Sequence, residues 1–262
     1  MPISTSSTSW VVVPSPRPRA RVRLLCFPYA GGGASAFTAW GRALSSEIEV
    51  CAIQMPGREA RLREPPITRW EEVIWRLSEA LMPWMDRPFA LFGHSLGALV
   101  AFEFARHLDR DRRAELIQMF VSGREAPQLP LDETPKHNLP HEELLDELRQ
   151  LAGTNEEVLK ERELLDIFIP LLRADFFLSE SHVYEAGPPL NVPITAYGGM
   201  QDEHVLTSKL EAWCEQTTAG FRRVMFPGGH FFLHDHRAQI LTDLAGELGI
   251  ALPSLSRVSS YR

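Results

Sequence analysis

Short apolar runs alternating with stretches of helical spacing constrain this chain more than any other feature. The runs fall at 22–27, 49–53, 89–92, 117–121, 194–197 and 222–226, with a further short one at 10–13. Between them, residues 35–44, 70–84, 98–108, 209–215 and 237–248 carry apolar side chains at the three-to-four-residue spacing of a helix face. Buried strands separated by covering helices imply an α/β fold with a mostly parallel central sheet flanked by helices on both faces. A chain of 262 residues fits one such domain.

The rhythm breaks once. From 127 to 189 no strand-like run occurs; a helical segment at 141–151 precedes another at about 156–179, with an interruption expected near Pro170. Its apolar residues, among them Leu164, Leu165, Ile167, Phe168, Leu171, Leu172 and Phe176, occupy more than one helical face, which implies a helical lid with a second apolar surface. The expected organisation is a flexible leader at 1–20, a core at 21–126 and 190–250, a lid insertion at 127–189 and a C-terminal tail at 251–262.

Chemistry concentrates where the run at 89–92 meets Gly93-His94-Ser95-Leu96-Gly97 and a helix follows. A serine between glycines on a strand-to-helix turn presents its hydroxyl at the tip of a sharp bend, the nucleophile elbow of the α/β-hydrolase fold. A hydroxyl is a weak nucleophile and requires a base. His230 fits, because it follows the last strand-like run through Pro227-Gly228-Gly229 and lies downstream of the serine. His94 must point away from the hydroxyl on so tight a turn, and His234 and His236 read as the start of a solvated helix rather than as metal ligands. The acid that orients the base is expected at Asp202, after the run at 194–197; Glu125, after the run at 117–121, is the fallback. Oxyanion donors are expected from the backbone N–H groups of Leu96 and of Ala30, the latter in the small-residue turn Phe27-Pro-Tyr-Ala-Gly-Gly-Gly33. That turn lacks both G-x-G-x-x-G and a Lys-Ser/Thr ending, which argues against a nucleotide loop.

A net charge of −7 disfavours binding to nucleic acid or an anionic membrane. Cys26, Cys51 and Cys214 lie far apart without metal-type spacing, and neither a secretory signal nor a membrane-length apolar stretch is present. A monomeric cytoplasmic protein needing no metal or cofactor is therefore expected.

Beyond the elbow, the chain carries Phe27-Pro-Tyr-Ala-Gly-Gly, Pro56-Gly-Arg-Glu, Arg61-Leu-Arg-Glu-Pro-Pro, Leu171-Leu-Arg-Ala-Asp175 and Pro227-Gly-Gly-His-Phe-Phe232. With these marks, from about Leu24 to Leu248, it resembles the type II thioesterases, stand-alone editing hydrolases of nonribosomal peptide and polyketide synthesis. The resemblance implies a triad of Ser95, Asp202 and His230 acting on acyl groups thioester-linked to the phosphopantetheine arm of an acyl or peptidyl carrier protein. Alternatives sharing the triad are a medium-chain fatty acyl-carrier thioesterase, a product-releasing acyltransferase or cyclase, and a carboxylesterase; a scaffold without activity is disfavoured by the intact triad. Carrier proteins are acidic, so Arg58, Arg61, Arg63 and Arg69 form a candidate docking patch.

Overall fold

The computed structural model describes residues 9–108, 113, 115–130, 134–151 and 161–250. Its strands are β1 (Val11–Val12), β2 (Val22–Phe27), β3 (Ile48–Ile53), β4 (Phe89–His94), β5 (Leu116–Ser122), β6 (Ile194–Gly199) and β7 (Phe221–Phe226). They form one sheet in the order β1-β3-β2-β4-β5-β6-β7. The short β1 is antiparallel to β3, and every pairing from β3 across to β7 is parallel. The helices are α1 (Thr38–Ala43), α2 (Trp70–Leu81), α3 (Leu96–His107), α4 (His141–Leu151), α5 (Arg162–Glu180), α6 (Thr207–Glu211), α7 (Phe232–Asp235) and α8 (Arg237–Glu247).

Successive residues of the strands point to opposite faces, and both faces are covered. Leu25 and Phe27 join one apolar cluster with Leu77 of α2 and Phe104 of α3; Leu24 and Cys26 join the other with Trp40 of α1 and Leu241 of α8. This accounts for runs that are apolar throughout rather than alternating.

The strand order fixes where a ligand can sit. After β2 the chain adds β3 on one side and then crosses back to place β4 on the other. The reversal opens a crevice at the carboxyl ends of β2 and β4. Register pairs Phe27 with Gly93 there, so the loop after β2 and the turn after β4 begin side by side.

Two expectations are corrected. Residues 9–20 are a strap rather than a loose leader: the Arg17 guanidinium donates to the carbonyls of Gly41, Ser45 and Ile48, and its backbone N–H donates to Glu49 Oε1 at 2.6 Å. Residues 1–8 and the expected tail at 251–262 lie outside the described residues, as do 131–133 and 152–160 of the insertion. The second correction is at Pro170, which does not interrupt its helix, since α5 runs from Arg162 to Glu180 with Pro170 inside it. Proline removes one helical hydrogen bond and crowds the carbonyl four residues back, and packing can offset that cost. Here Leu165, Ile169 and Leu172 of α5 pack on Leu144, Leu145 and Leu148 of α4 in a cluster separate from both faces of the sheet. Burial of such side chains stabilises by about 1.5–3 kcal/mol each.

Candidate active site

Ser95 stands alone between β4 and α3 with φ 53° and ψ −119°. A serine holds such backbone angles only where its surroundings impose them. The imposition is visible: Ser95 N–H donates to Ser122 O at 2.8 Å on β5, and α3 starts at once. Gly97 permits the tight approach of α3 to β2, because a Cβ there would lie 2.1 Å from the Phe27 carbonyl oxygen.

His230 and Asp202 arrive from the neighbouring strands. β6 ends at Gly199 and the following turn carries Asp202; β7 ends at Phe226 and Pro227-Gly228-Gly229 leads to His230. His230 Nδ1 lies 2.8 Å from Asp202 Oδ2, with Asp202 fully buried. The other carboxylate oxygen, Oδ1, accepts the backbone N–H groups of His204 at 3.0 Å and Val205 at 3.2 Å. Burial pushes the Asp202 carboxyl up, but the hydrogen bond and charge of His230 and the two N–H donors more than offset it, so it titrates below the ordinary aspartate range. An ionised carboxylate only accepts, so Nδ1 of His230 carries the hydrogen, and in the neutral ring Nε2 is then the proton acceptor. Ser95 and His230 line a common cavity, without a hydrogen bond between their side chains. Such bonds are often long in ligand-free sites and tighten on binding.

The Leu96 N–H opens α3, where no carbonyl one turn back is available to it. The Ala30 N–H engages no described group, and Ala30 shares cavity walls with Ser95 and His230. The cavity holds about 540 Å³. Its floor is the loop from Tyr29 to Gly33, and its roof is apolar, formed by Leu148 and Leu151 of α4 and by Leu164, Ile167, Phe168, Leu171 and Phe176 of α5. The packing on α4 and the cavity wall share residues: Leu172 belongs to both, and Phe168 and Phe176 line the cavity while packing against the α4 cluster. A narrower and more polar space, lined by Arg124, Lys136, Ser179 and His204, also reaches Ser95.

The rival residues are engaged elsewhere. Glu125 pairs with Lys209 at 2.8 Å. His94 is fully buried, with Nδ1 2.9 Å from Ser122 Oγ; burial, and secondarily the nearby His230, push its pKa well below the usual histidine value. His236 meets Gln239, His234 stacks on Phe231, and among the described residues no cluster of side chains suits a metal ion. Two members of the expected docking patch are not available to a partner. Arg58 and Arg61 are each 3% exposed: Arg58 pairs with Asp175, and Arg61 pairs with Glu64 and stacks over Trp10. Arg63 and Arg69 are exposed. The pairing of Arg58 with Asp175 escaped sequence reading, since 117 residues separate them; both do lie in stretches that mark the resemblance, Pro56-Gly-Arg-Glu and Leu-Leu-Arg-Ala-Asp175.

Comparison with known proteins gives the family of the chain. The model of the thioesterase domain family matches residues 22–248. The gramicidin S biosynthesis protein GrsT of Aneurinibacillus migulanus is 43% identical over 93% of this chain and 95% of its own length. A protein named linear gramicidin dehydrogenase LgrE, of Brevibacillus parabrevis, is 42% identical over 93% of this chain and 94% of its own. The solved structure of the type II thioesterase BorB from the borrelidin biosynthetic cluster superposes with a TM-score of 0.82 at 34% identity, covering 96% of this chain and all of that one. With a family match over most of its length and relatives that span nearly all of it, the chain belongs to the thioesterase family and resides among its type II members.

Proposed function

We propose that this thioesterase removes acyl groups from the phosphopantetheine arms of carrier proteins in nonribosomal peptide or polyketide synthesis, through an acyl-enzyme on Ser95. One observation carries the reading: Ser95 and an Asp202-bound His230 stand at the wall of a cavity of about 540 Å³ with an apolar helical roof. His230 Nε2 takes the Ser95 proton as Oγ attacks the thioester carbonyl. The Leu96 and Ala30 N–H groups receive the oxyanion, and the thiolate leaves with the proton held by His230. Water then enters by the same base, is added to the acyl-serine and releases a carboxylic acid and free Ser95. The steps above call on no metal or dissociable cofactor, and the phosphopantetheine arrives on the substrate.

The division of labour follows. Residues 21–126 and 190–250 form the catalytic core and 127–189 the lid, which holds the acyl chain by apolar contact. The narrow polar space beside Arg124 and Ser179 suits the amide-bearing arm better than an acyl chain. The chain works as a cytoplasmic monomer, and its partners are carrier proteins rather than nucleic acid or membrane; no described helix is long and apolar enough to cross a membrane. Hydride transfer, the reaction that the name of LgrE denotes, lacks support here, since the glycine turn has no dinucleotide pattern and is packed against Leu172 and Phe168.

The test presents a panel of acyl groups on a carrier protein beside matched oxygen esters and follows release by intact-protein mass spectrometry. Faster thioester cleavage, lost in Ser95→Ala, is expected. Faster oxygen-ester cleavage overturns the assignment.

A further inference from the structure

We infer that Asp175, on the roof helix α5, is a positioning residue that fixes the oxyanion loop, with Arg58 present to neutralise it. The inference rests on the reading of Ser95 and Ala30 given above. Asp175 is fully buried, and its carboxylate accepts three hydrogen bonds: from Gly31 N–H at 2.7 Å, Arg58 Nη1 at 2.8 Å and Arg58 Nη2 at 2.9 Å.

The Gly31 nitrogen shares a planar peptide unit with the Ala30 carbonyl. Pinning that unit fixes Ala30, which lines the cavity with Ser95 and whose N–H is the proposed oxyanion donor. Gly31 has φ 73°, and a Cβ on it would lie 2.8 Å from Leu172 Cδ2, so the roof helix rests on this turn by packing as well as by charge. Arg58 holds the loop from below. Its Nη1 also donates to Gly32 O at 3.1 Å, while its carbonyl accepts Gln54 Nε2 at 2.8 Å and Gln54 Oε1 accepts Ala34 N–H at 2.8 Å. Loop residues 31–34 are thereby tied at three points to groups distant in sequence.

Charge explains why an ion pair is used. A bare carboxylate behind the oxyanion loop would repel the negative charge that develops in the transition state. Paired with a bidentate guanidinium it becomes a nearly neutral acceptor of fixed geometry. The end of α5 is further secured by Trp70 Nε1 on Leu178 O at 2.8 Å and by Arg124 Nη1 on Ser179 Oγ at 2.7 Å. These bonds tie the end of α5 beside Asp175 to α2 and to the turn after β5.

The experiment compares two double variants with the parent enzyme on the N-acetylcysteamine thioester of hexanoate. Asp175→Ala with Arg58→Met removes the acceptor and strands no charge; Asp175→Asn with Arg58→Met keeps a neutral acceptor for Gly31. The first is expected to lose about 100-fold in kcat with KM changed less than about threefold, the size of one misplaced oxyanion donor. The second should stay within about fivefold of the parent. Equal kcat in the two double variants overturns the inference. Should the double variants not fold, the single Asp175→Ala and Asp175→Asn variants carry the same comparison. Ser95→Ala, run in parallel, separates the failures: if it retains turnover, the reading of Ser95 falls, whereas an inactive Ser95→Ala beside equal double variants sinks only the role of Asp175.

Discussion

His230 Nδ1 meets Asp202 Oδ2 at 2.8 Å across two loops that leave adjacent parallel strands. Because Asp202 is held below the ordinary carboxylate range, its stabilising contribution is complete above the unfolded value of about 3.9 and is lost as pH falls through the lower native value. Asp202→Asn should cost on the order of 1,000- to 10,000-fold in kcat by freeing the wrong tautomer of His230. Its deficit in unfolding free energy at pH 7 should shrink below about pH 4. Urea denaturation at both pH values measures this, and a deficit that stays constant with pH contradicts the pairing.

The strained backbone of Ser95 separates stability from activity. Ser95→Ala and Ser95→Gly should both be inactive, yet the glycine variant should be more stable than the alanine variant by about 1 kcal/mol, since only glycine adopts φ 53° and ψ −119° without strain. Thermal unfolding of the pair decides it; equal midpoints would mean that the turn is relaxed.

His94 makes a second acid-sensitive element. Its pKa is depressed in the folded state, so below about 6.5 the unfolded chain binds a proton that the native state refuses. Stability is then full above that value and falls with decreasing pH, by up to about 1.4 kcal/mol per unit. His94→Gln, which can still reach Ser122, should flatten the slope between pH 6.5 and 5. Unchanged slopes in chemical denaturation would assign the acid sensitivity to other groups.

Arg61 and Arg63, two residues apart, should behave oppositely. Arg61 is enclosed by Glu64, the Gln54 carbonyl and the Trp10 ring, so Arg61→Glu should destabilise the protein by about 3 kcal/mol or more. Arg63 is exposed, and Arg63→Glu should leave unfolding within about 0.5 kcal/mol of the parent while slowing hydrolysis of an acyl carrier protein more than of a small thioester. Equal slowing on both substrates would exclude Arg63 from docking.

Local signals made much of this protein legible in its sequence. The runs at 22–27, 89–92 and 194–197 announce strands through dense apolar content, and the turns that follow them carry Ala30, Ser95 and Asp202. Chain order and turn chemistry pointed to residues that lie close together in the fold: Ala30 and Ser95 line one cavity with His230, and Asp202 bonds His230 from behind. Pairings across long sequence separations were not legible. Arg58 looks like a surface charge until Asp175 is placed above it, and Arg17 looks like part of a loose leader until Gly41, Ser45 and Ile48 offer it their carbonyls. Pro170 misled for a related reason, since local propensity foretells a break and only the packing of α5 on α4 overrides it.

The cluster joining Leu144, Leu145 and Leu148 to Leu165, Ile169 and Leu172 is independent of the two clusters that cover the sheet. Leu148 and Leu172 of this cluster also line the cavity, and Leu172 packs on the turn at Gly31, so a change of side chain there reshapes the cavity wall while leaving the clusters against the sheet intact. The roof can thus change shape at a local cost as long as Leu172 and Asp175 keep their seat on the loop at Gly31.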